Sequence, residues 1–261
     1  MVRRPSCVPA TLLMLVGLLA TAACAGGSDA ASAGDGTGHE IVVFAAASLT
    51  GAFTELRRRF EDDHPGTTVT FNFAASSALV AQLAEGAPAD VFAAADEATM
   101  AKLTATGGVT GTPTVFATNQ LAIIVAPGNP EAIRSLADLA RPGLLVVLAA
   151  PQVPAGAYAQ QALDRAGVTV TPVSRENDVK AVAAKVIAGE ADAGIVYRTD
   201  VEAAGGRATG VAIPATLEVT ARYPIAVTAG AAHPATAAAF LATVTGPVGQ
   251  DILARAGFGP P

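Results

Sequence analysis

The 261-residue chain has no tryptophan, two cysteines, three histidines and only 5% aromatic residues. With 51% hydrophobic residues and so few rings, its core must be built mainly from Ala, Val, Leu and Ile. The scarcity of histidine weighs against serine hydrolysis, which needs a base beside its nucleophile. His39 falls in a linker, while His64 and His233 each stand directly before a proline, and there is no G-x-S-x-G elbow. Basic residues are also few, 16 Lys+Arg against 22 Asp+Glu, and beyond the short run of Arg57, Arg58 and Arg59 nothing resembles a basic footprint. Nucleic acid is therefore excluded as an expected partner. A mean hydropathy of +0.45 suggests membrane content, yet the only long apolar run lies near the start.

That run has the layout of an export signal. Arg3 and Arg4 precede an apolar stretch over 12–20, and small residues lead to Cys24. It is too short to span a bilayer comfortably. The sequence T-A-A-C, followed by A-G-G-S, resembles a bacterial lipoprotein signal, in which Cys24 becomes the lipidated first residue. Thr21 departs from the leucine usual three places before that cysteine. Cys7 lies inside the removed segment, so the mature chain is expected to have no disulfide. Loss of residues 1–23 takes Arg3 and Arg4, which leaves 14 basic against 22 acidic residues, a formal charge of −8. Residues 24–39 then form a Gly/Ser/Ala/Asp linker that reaches roughly 20 Å as a flexible coil.

Beyond the linker, strand and helix patterns alternate. The strand over 41–45 leads to a helix with Leu49, Phe53, Leu56 and Phe60 on one face. Strands follow over 68–73 and 90–95, each with its helix, then over 144–149, 168–173 and 194–197. Further strands are expected near 211–213 and 223–227, and two closing helices begin near Pro234 and Pro247. This alternation predicts an α/β protein with mostly parallel sheets flanked by helices.

In such sheets ligands bind beyond the carboxyl ends of strands, where helices start. Four junctions stand out. "FAAASLT" places Ser48 after three alanines, and "FNFAASSAL" places Ser76 and Ser77 at a helix start. "PQVPAGAYA" leads through Pro154, Ala155 and Gly156, and "SRENDVKAV" offers Asn177 or Asp178 as cap with Val179 first in the helix. Small side chains leave the N–H groups open, and helix starts attract anions. The first three junctions contain no Arg or Lys, so an anion there is held by neutral dipoles. Periodicity alone turns Lys180 and Arg198, near the fourth, toward solvent.

Together "VFAAASLT", "FAASSALVAQLAEGAPADVFAAAD", "VPAGAYAQQAL", "ENDVKAV" and "AGIVY" resemble the molybdate-binding proteins of ABC transporters, in that family's order and spacing. The resemblance implies a two-lobed periplasmic-binding-protein fold with crossings near 119–121 and 222–224. One lobe would hold 40–119 and 225–261, the other 120–224. It further implies that Ser48 and Ser76 offer hydroxyls and N–H groups, that Ala155 and Val179 offer N–H groups, and that Tyr197 offers its phenol. Ser48 is expected to serve as helix cap as well. Ala75 stands where relatives often have a second serine.

The implied protein is not an enzyme. It is a monomeric receptor outside the cytoplasm, anchored to the outer face of the cell membrane through Cys24, that delivers its ligand to an ABC permease. It needs no cofactor and coordinates no metal directly, because molybdenum arrives as the oxyanion. A ring of donors suits a tetrahedral dianion, whose oxygens only accept hydrogen bonds. Phosphate, which keeps a proton near neutral pH, is disfavoured where no acceptor waits for it. Tungstate, nearly the size of molybdate, fits the same expectation, and smaller sulfate is the alternative oxyanion. A ferric receptor of the same fold would need converging phenolates or carboxylates, whereas Tyr158, Tyr197 and Tyr223 are scattered in sequence.

Overall fold

The computed structural model describes residues 39–261. The expected signal, Cys24 and nearly all of the linker lie outside the described residues. Strands β1 (Glu40–Ala46), β2 (Thr68–Ala74), β3 (Val91–Ala93) and β4 (Val109–Asn119) form one sheet with a late strand, β10 (Ala221–Thr228). Their order is β2-β1-β3-β10-β4. A second sheet joins β5 (Leu121–Val125), β6 (Val146–Ala149), β7 (Ser174–Glu176), β8 (Ala193–Tyr197) and β9 (Thr209–Ala212), in the order β7-β6-β8-β5-β9.

Each sheet is mixed rather than mostly parallel. In the first, β1 pairs in parallel with β2 and β3, but β10 is antiparallel to β3 and β4. In the second, β6 is parallel to β7 and β8, but β5 is antiparallel to β8 and β9. The connectivity explains this. Strands β1, β2, β6 and β8 end at one shared cleft, so β5 and β10, which enter their sheets from that cleft, must run the other way.

Two crossings join the lobes. Only Gln120 separates β4 from β5. The return passes through 213–220, and Ala221 already pairs with Asn119 in the first sheet. The second crossing therefore precedes 222–224, and residues 221–224 belong with the first lobe. Pro224 falls inside the strand expected over 223–227, and the ladder shifts register between Tyr223 and Pro224. Such an irregularity is where a strand tolerates proline.

Helices cover the first sheet on both faces. On one side α1 (Thr50–Asp63) buries Ala52, Phe53, Leu56 and Phe60, the stripe its periodicity predicts. Phe240 of α7 (Pro234–Thr245) meets Phe60 edge-on at 5.3 Å, and α8 (Pro247–Arg255) adds Ile252 and Leu253. On the other side α2 (Ser76–Ala84) and α3 (Glu97–Ala105) pack Leu79, Met100 and Leu103 against Phe44 and Phe92. In the second lobe α4 (Pro154–Arg165), α5 (Val179–Ile187) and α6 (Arg198–Ala204) flank the sheet. The strand expected over 168–173 forms later and shorter, as β7. Pro172 has no N–H for a ladder, and pairing opens with Val173 N–H on Val146 O at 2.8 Å. Among the described residues no helix is long and apolar enough to cross a membrane.

Candidate functional site

Four strand-to-helix junctions and the end of β8 converge on one narrow cleft. Its free space is only about 10 Å³, against roughly 300–1,000 Å³ for sites of drug-sized molecules, so nothing larger than a small ion suits it. Ser48 and Ser76 line it from the first lobe, and Ala155, Val179 and Tyr197 line it from the second. The five residues singled out in the sequence are thus brought together. Lys180 and Arg198 do not line the cleft, and no histidine does.

The first lobe offers two serine hydroxyls. Ser48 is not a helix cap as its sequence position suggested. It lies inside a 3-10 turn, Ala47–Leu49, that inserts ahead of α1, and its side chain makes no capping bond. Its Oγ is instead 2.9 Å from Tyr223 Oη. Ser76 is the first residue of α2, and its Oγ accepts from Ala95 N–H at 2.9 Å. With that lone pair occupied, the Ser76 O–H remains for another acceptor. Both serines are buried, at 5% and 1% exposure.

The second lobe offers backbone. The start of α4 has Pro154 in its first turn and no side-chain cap, and α2 is uncapped as well. Their first N–H groups lack intrahelical partners and point toward the cleft end of the dipole. Gly156 lets α4 approach β6, because a Cβ there would collide with Ala150 O and come within 2.6 Å of Ala149 O. Helix α5 is capped: Asp178 Oδ1 accepts from Ala181 N–H at 2.9 Å. The one carboxylate that lines the cleft among the described residues is therefore engaged with its own helix, and Val179 N–H precedes that bond.

Tyr197 is the exceptional group. It is 1% exposed, and its hydroxyl has no hydrogen-bond partner among the described residues. Burial pushes its phenol well above the ordinary value, so it remains a protonated donor. An unmet buried hydroxyl is costly unless something is meant to meet it.

Behind Tyr197, Asp200 Oδ2 accepts the Tyr197 N–H at 3.1 Å. Asp200 Oδ1 lies 2.9 Å from Lys180 Nζ. Burial raises the Asp200 carboxyl, and Lys180 pulls it back. Lys180, expected to face solvent, is thus committed to a buried carboxylate. Arg198 bonds Gln120 Oε1 and Gly257 O outside the cleft.

Sequence reading missed Tyr223 and Asn119 as parts of this site. Their only signal was a polar side chain embedded in an apolar strand, in "ATNQLAIIV" and "ARYPIAVT". The tyrosines are also less scattered than their numbers imply, since Tyr197 and Tyr223 meet edge-on at 5.9 Å. Ferric iron would require phenolates, and burial raises both phenols. Among the described residues no group of His, Cys, Asp or Glu could hold a metal ion. Hydrolysis has no base in place. His64 Nδ1 is 2.9 Å from Phe60 O, and His39 packs tilted against His233 with ring centres 4.6 Å apart. A roomier groove between α3 and β4, around Met100, Pro113 and Val115, is mostly apolar and has no convergent donors.

The chain has relatives of known family and fold. The profile described as "Bacterial extracellular solute-binding protein" matches residues 41–259. The molybdate-binding protein ModA of Mycobacterium tuberculosis (strain H37Rv) is 45% identical over 251 residues, covering 95% of each chain. ModA of Escherichia coli (strain K12) is 34% identical over 230 residues, covering 84% of this chain and 88% of that protein. The periplasmic molybdate-binding protein of Azotobacter vinelandii superposes with a TM-score of 0.75 at 24% identity, covering 85% of this chain and 99% of that one. The sulfate-binding protein SubI of M. tuberculosis also gives 0.75, at 22% identity over 85% of this chain and 87% of its own. These two solved structures show the shared two-lobed α/β fold. On the profile match and the two ModA relatives, the chain belongs to the bacterial extracellular solute-binding proteins.

Proposed function

We propose that this protein is an extracytoplasmic receptor that captures molybdate, and equally tungstate, between its lobes and delivers it to the permease of an ABC transporter. The observation that carries the reading is the unpartnered Tyr197 hydroxyl in a small, buried cleft lined by serine hydroxyls and uncapped helix starts. Ser48, Ser76 and Tyr197 supply O–H donors, and Ala155 and Val179 supply backbone N–H groups. The ModA names of its relatives support the same ligand. No cofactor enters the reading, and the protein acts by binding rather than catalysis.

Charge-assisted hydrogen bonds contribute roughly 1.5–3 kcal/mol each, and several together offset the dehydration of a dianion. Donors alone suit a fully deprotonated oxyanion. Phosphate brings a proton that needs an acceptor, and Asp178, the nearest carboxylate, is occupied with its cap. Sulfate shares the charge and shape but is smaller, so its oxygens reach fewer donors of a cleft fixed by packed helices.

The cleft is complete within one chain, which supports a monomer. Cys24 supplies a lipid anchor to the outer face of the cell membrane, on the strength of its T-A-A-C context. Titration calorimetry of ligand-stripped protein with molybdate, tungstate, sulfate and phosphate tests the ligand. Molybdate and tungstate should bind tightly, the other two at least a hundredfold more weakly. Equal binding of sulfate would overturn the molybdate reading.

A further inference from the structure

A run of buried hydrogen bonds leads from the first crossing to the cleft. Gln120 N–H donates to Asn119 Oδ1 at 2.9 Å, which fixes the amide and turns its Nδ2 the other way. Nδ2 donates to Thr199 Oγ1 at 2.9 Å and, more loosely, to Tyr223 Oη at 3.5 Å. Tyr223 Oη in turn lies 2.9 Å from Ser48 Oγ. All four side chains, Asn119, Thr199, Tyr223 and Ser48, are buried.

The direction of the Tyr223–Ser48 bond matters because each hydroxyl has a single proton. If Ser48 donated to Tyr223, it would face the cleft with lone pairs only and repel an oxyanion. With Tyr223 as donor, Ser48 Oγ accepts from behind and its O–H is free for the ligand. Asn119 Nδ2 favours the second arrangement. An amide nitrogen only donates, so it occupies a lone pair of Tyr223 Oη and leaves the phenol proton for Ser48.

We infer that Tyr223 and Asn119 are positioning residues for the bound oxyanion, setting the direction of the Ser48 hydroxyl from the crossing between the lobes. This rests on the reading of Ser48 as a ligand donor. Asn119 ends β4 and also bonds Thr199 in α6, so one amide both ties the lobes and orients the donor. The backbone N–H of Gln120, the single residue between β4 and β5, is the first member of the chain.

A double-variant cycle with molybdate, read by titration calorimetry, tests the inference. The four proteins are wild type, Ser48→Ala, Tyr223→Phe and the double variant. Tyr223→Phe keeps the ring that packs against Phe116, Tyr197 and Phe258. It should weaken binding about tenfold when Ser48 is present, the equivalent of one ordinary hydrogen bond. In the Ser48→Ala background the same change should cost less than about twofold, because the group it acts through is gone. Melting temperatures of the ligand-free proteins separate a fold defect from a binding defect. Should Tyr223→Phe not fold, Asn119→Leu enters the same cycle with the same expectation. Independent, multiplying losses would overturn the inference while leaving Ser48 as a donor. Undiminished binding by Ser48→Ala would instead overturn the donor reading itself, and this inference with it.

Discussion

Tyr197 separates a ligand donor from an ordinary core aromatic. Its hydroxyl is buried without a partner among the described residues, so the fold alone gives it nothing to offset its burial. Tyr197→Phe keeps the ring against Tyr223 and removes only that group. Molybdate affinity should fall roughly 10- to 150-fold, the range of one charge-assisted bond. The ligand-free melting temperature should stay the same or rise. A core tyrosine with no ligand role would give unchanged affinity, and that result sinks the assignment. The phenol also fixes the pH response. Burial raises it, so it is a protonated donor throughout the neutral range, and no histidine lines the cleft. Affinity should therefore be flat between about pH 6 and 9. The raised phenols of Tyr197 and Tyr223 leave stability independent of pH below about pH 10, the unfolded value, where full stability is present. It is lost as pH climbs from there toward the folded values, since only the unfolded phenols ionise readily.

At the scale of elements, the cleft depends on how closely each helix start is drawn over its strand. Gly156 is the tightest case: the extra methyl of Gly156→Ala has only the carbonyls of Ala149 and Ala150 to meet. Helix α4 must shift, at a cost of about 1–3 kcal/mol for overpacking, and Ala155 N–H moves with it. Both melting temperature and molybdate affinity should drop. Gly51→Ala is the control, with open space around the new methyl on an exposed part of α1. It should be neutral or stabilising by up to about 1 kcal/mol, with affinity unchanged. Equal behaviour of the two variants would remove packing at α4 from the account. Helix starts of this kind were legible in the sequence because their signals are local: small residues after an apolar strand, Pro154 in a first turn, Asp178 before Val179. The Phe53–Leu56–Phe60 stripe was legible for the same reason. What escaped is non-local. Ser48 looked like a cap because its partner, Tyr223, is 175 positions away. Asn119 meets Tyr223 across 104 positions. The second crossing was set near 222–224, slightly late, because the pairing of Ala221 with Asn119 leaves no mark on one strand alone. The short β7 was displaced by Pro172, whose missing N–H outweighed the alternating pattern before it.

For the whole molecule, net charge and ligand charge have the same sign. The chain carries a formal −6, or −8 once residues 1–23 are removed, yet the proposed ligand is a dianion. Long-range attraction cannot bring it in, so capture depends on short-range donors inside the cleft and on where the receptor is held. In the proposed reading, placement falls to Cys24. Its preceding residues T-A-A follow the apolar run, and the Gly/Ser-rich segment after it is long enough to reach roughly 20 Å from a membrane surface. One acyl chain anchors only marginally, whereas the multiple chains of a lipidated N-terminal cysteine hold stably. Cys24→Ser should therefore move the protein from the membrane fraction to the soluble exported fraction, or leave its signal uncleaved. Molybdate binding by the purified variant should be unchanged, because the proposed donors Ser48, Ser76, Ala155, Val179 and Tyr197 are all retained. Fractionation of cells expressing wild type and variant decides it. A Cys24→Ser protein that is processed and still pellets with membranes after a high-salt wash would show that something other than this cysteine holds it there.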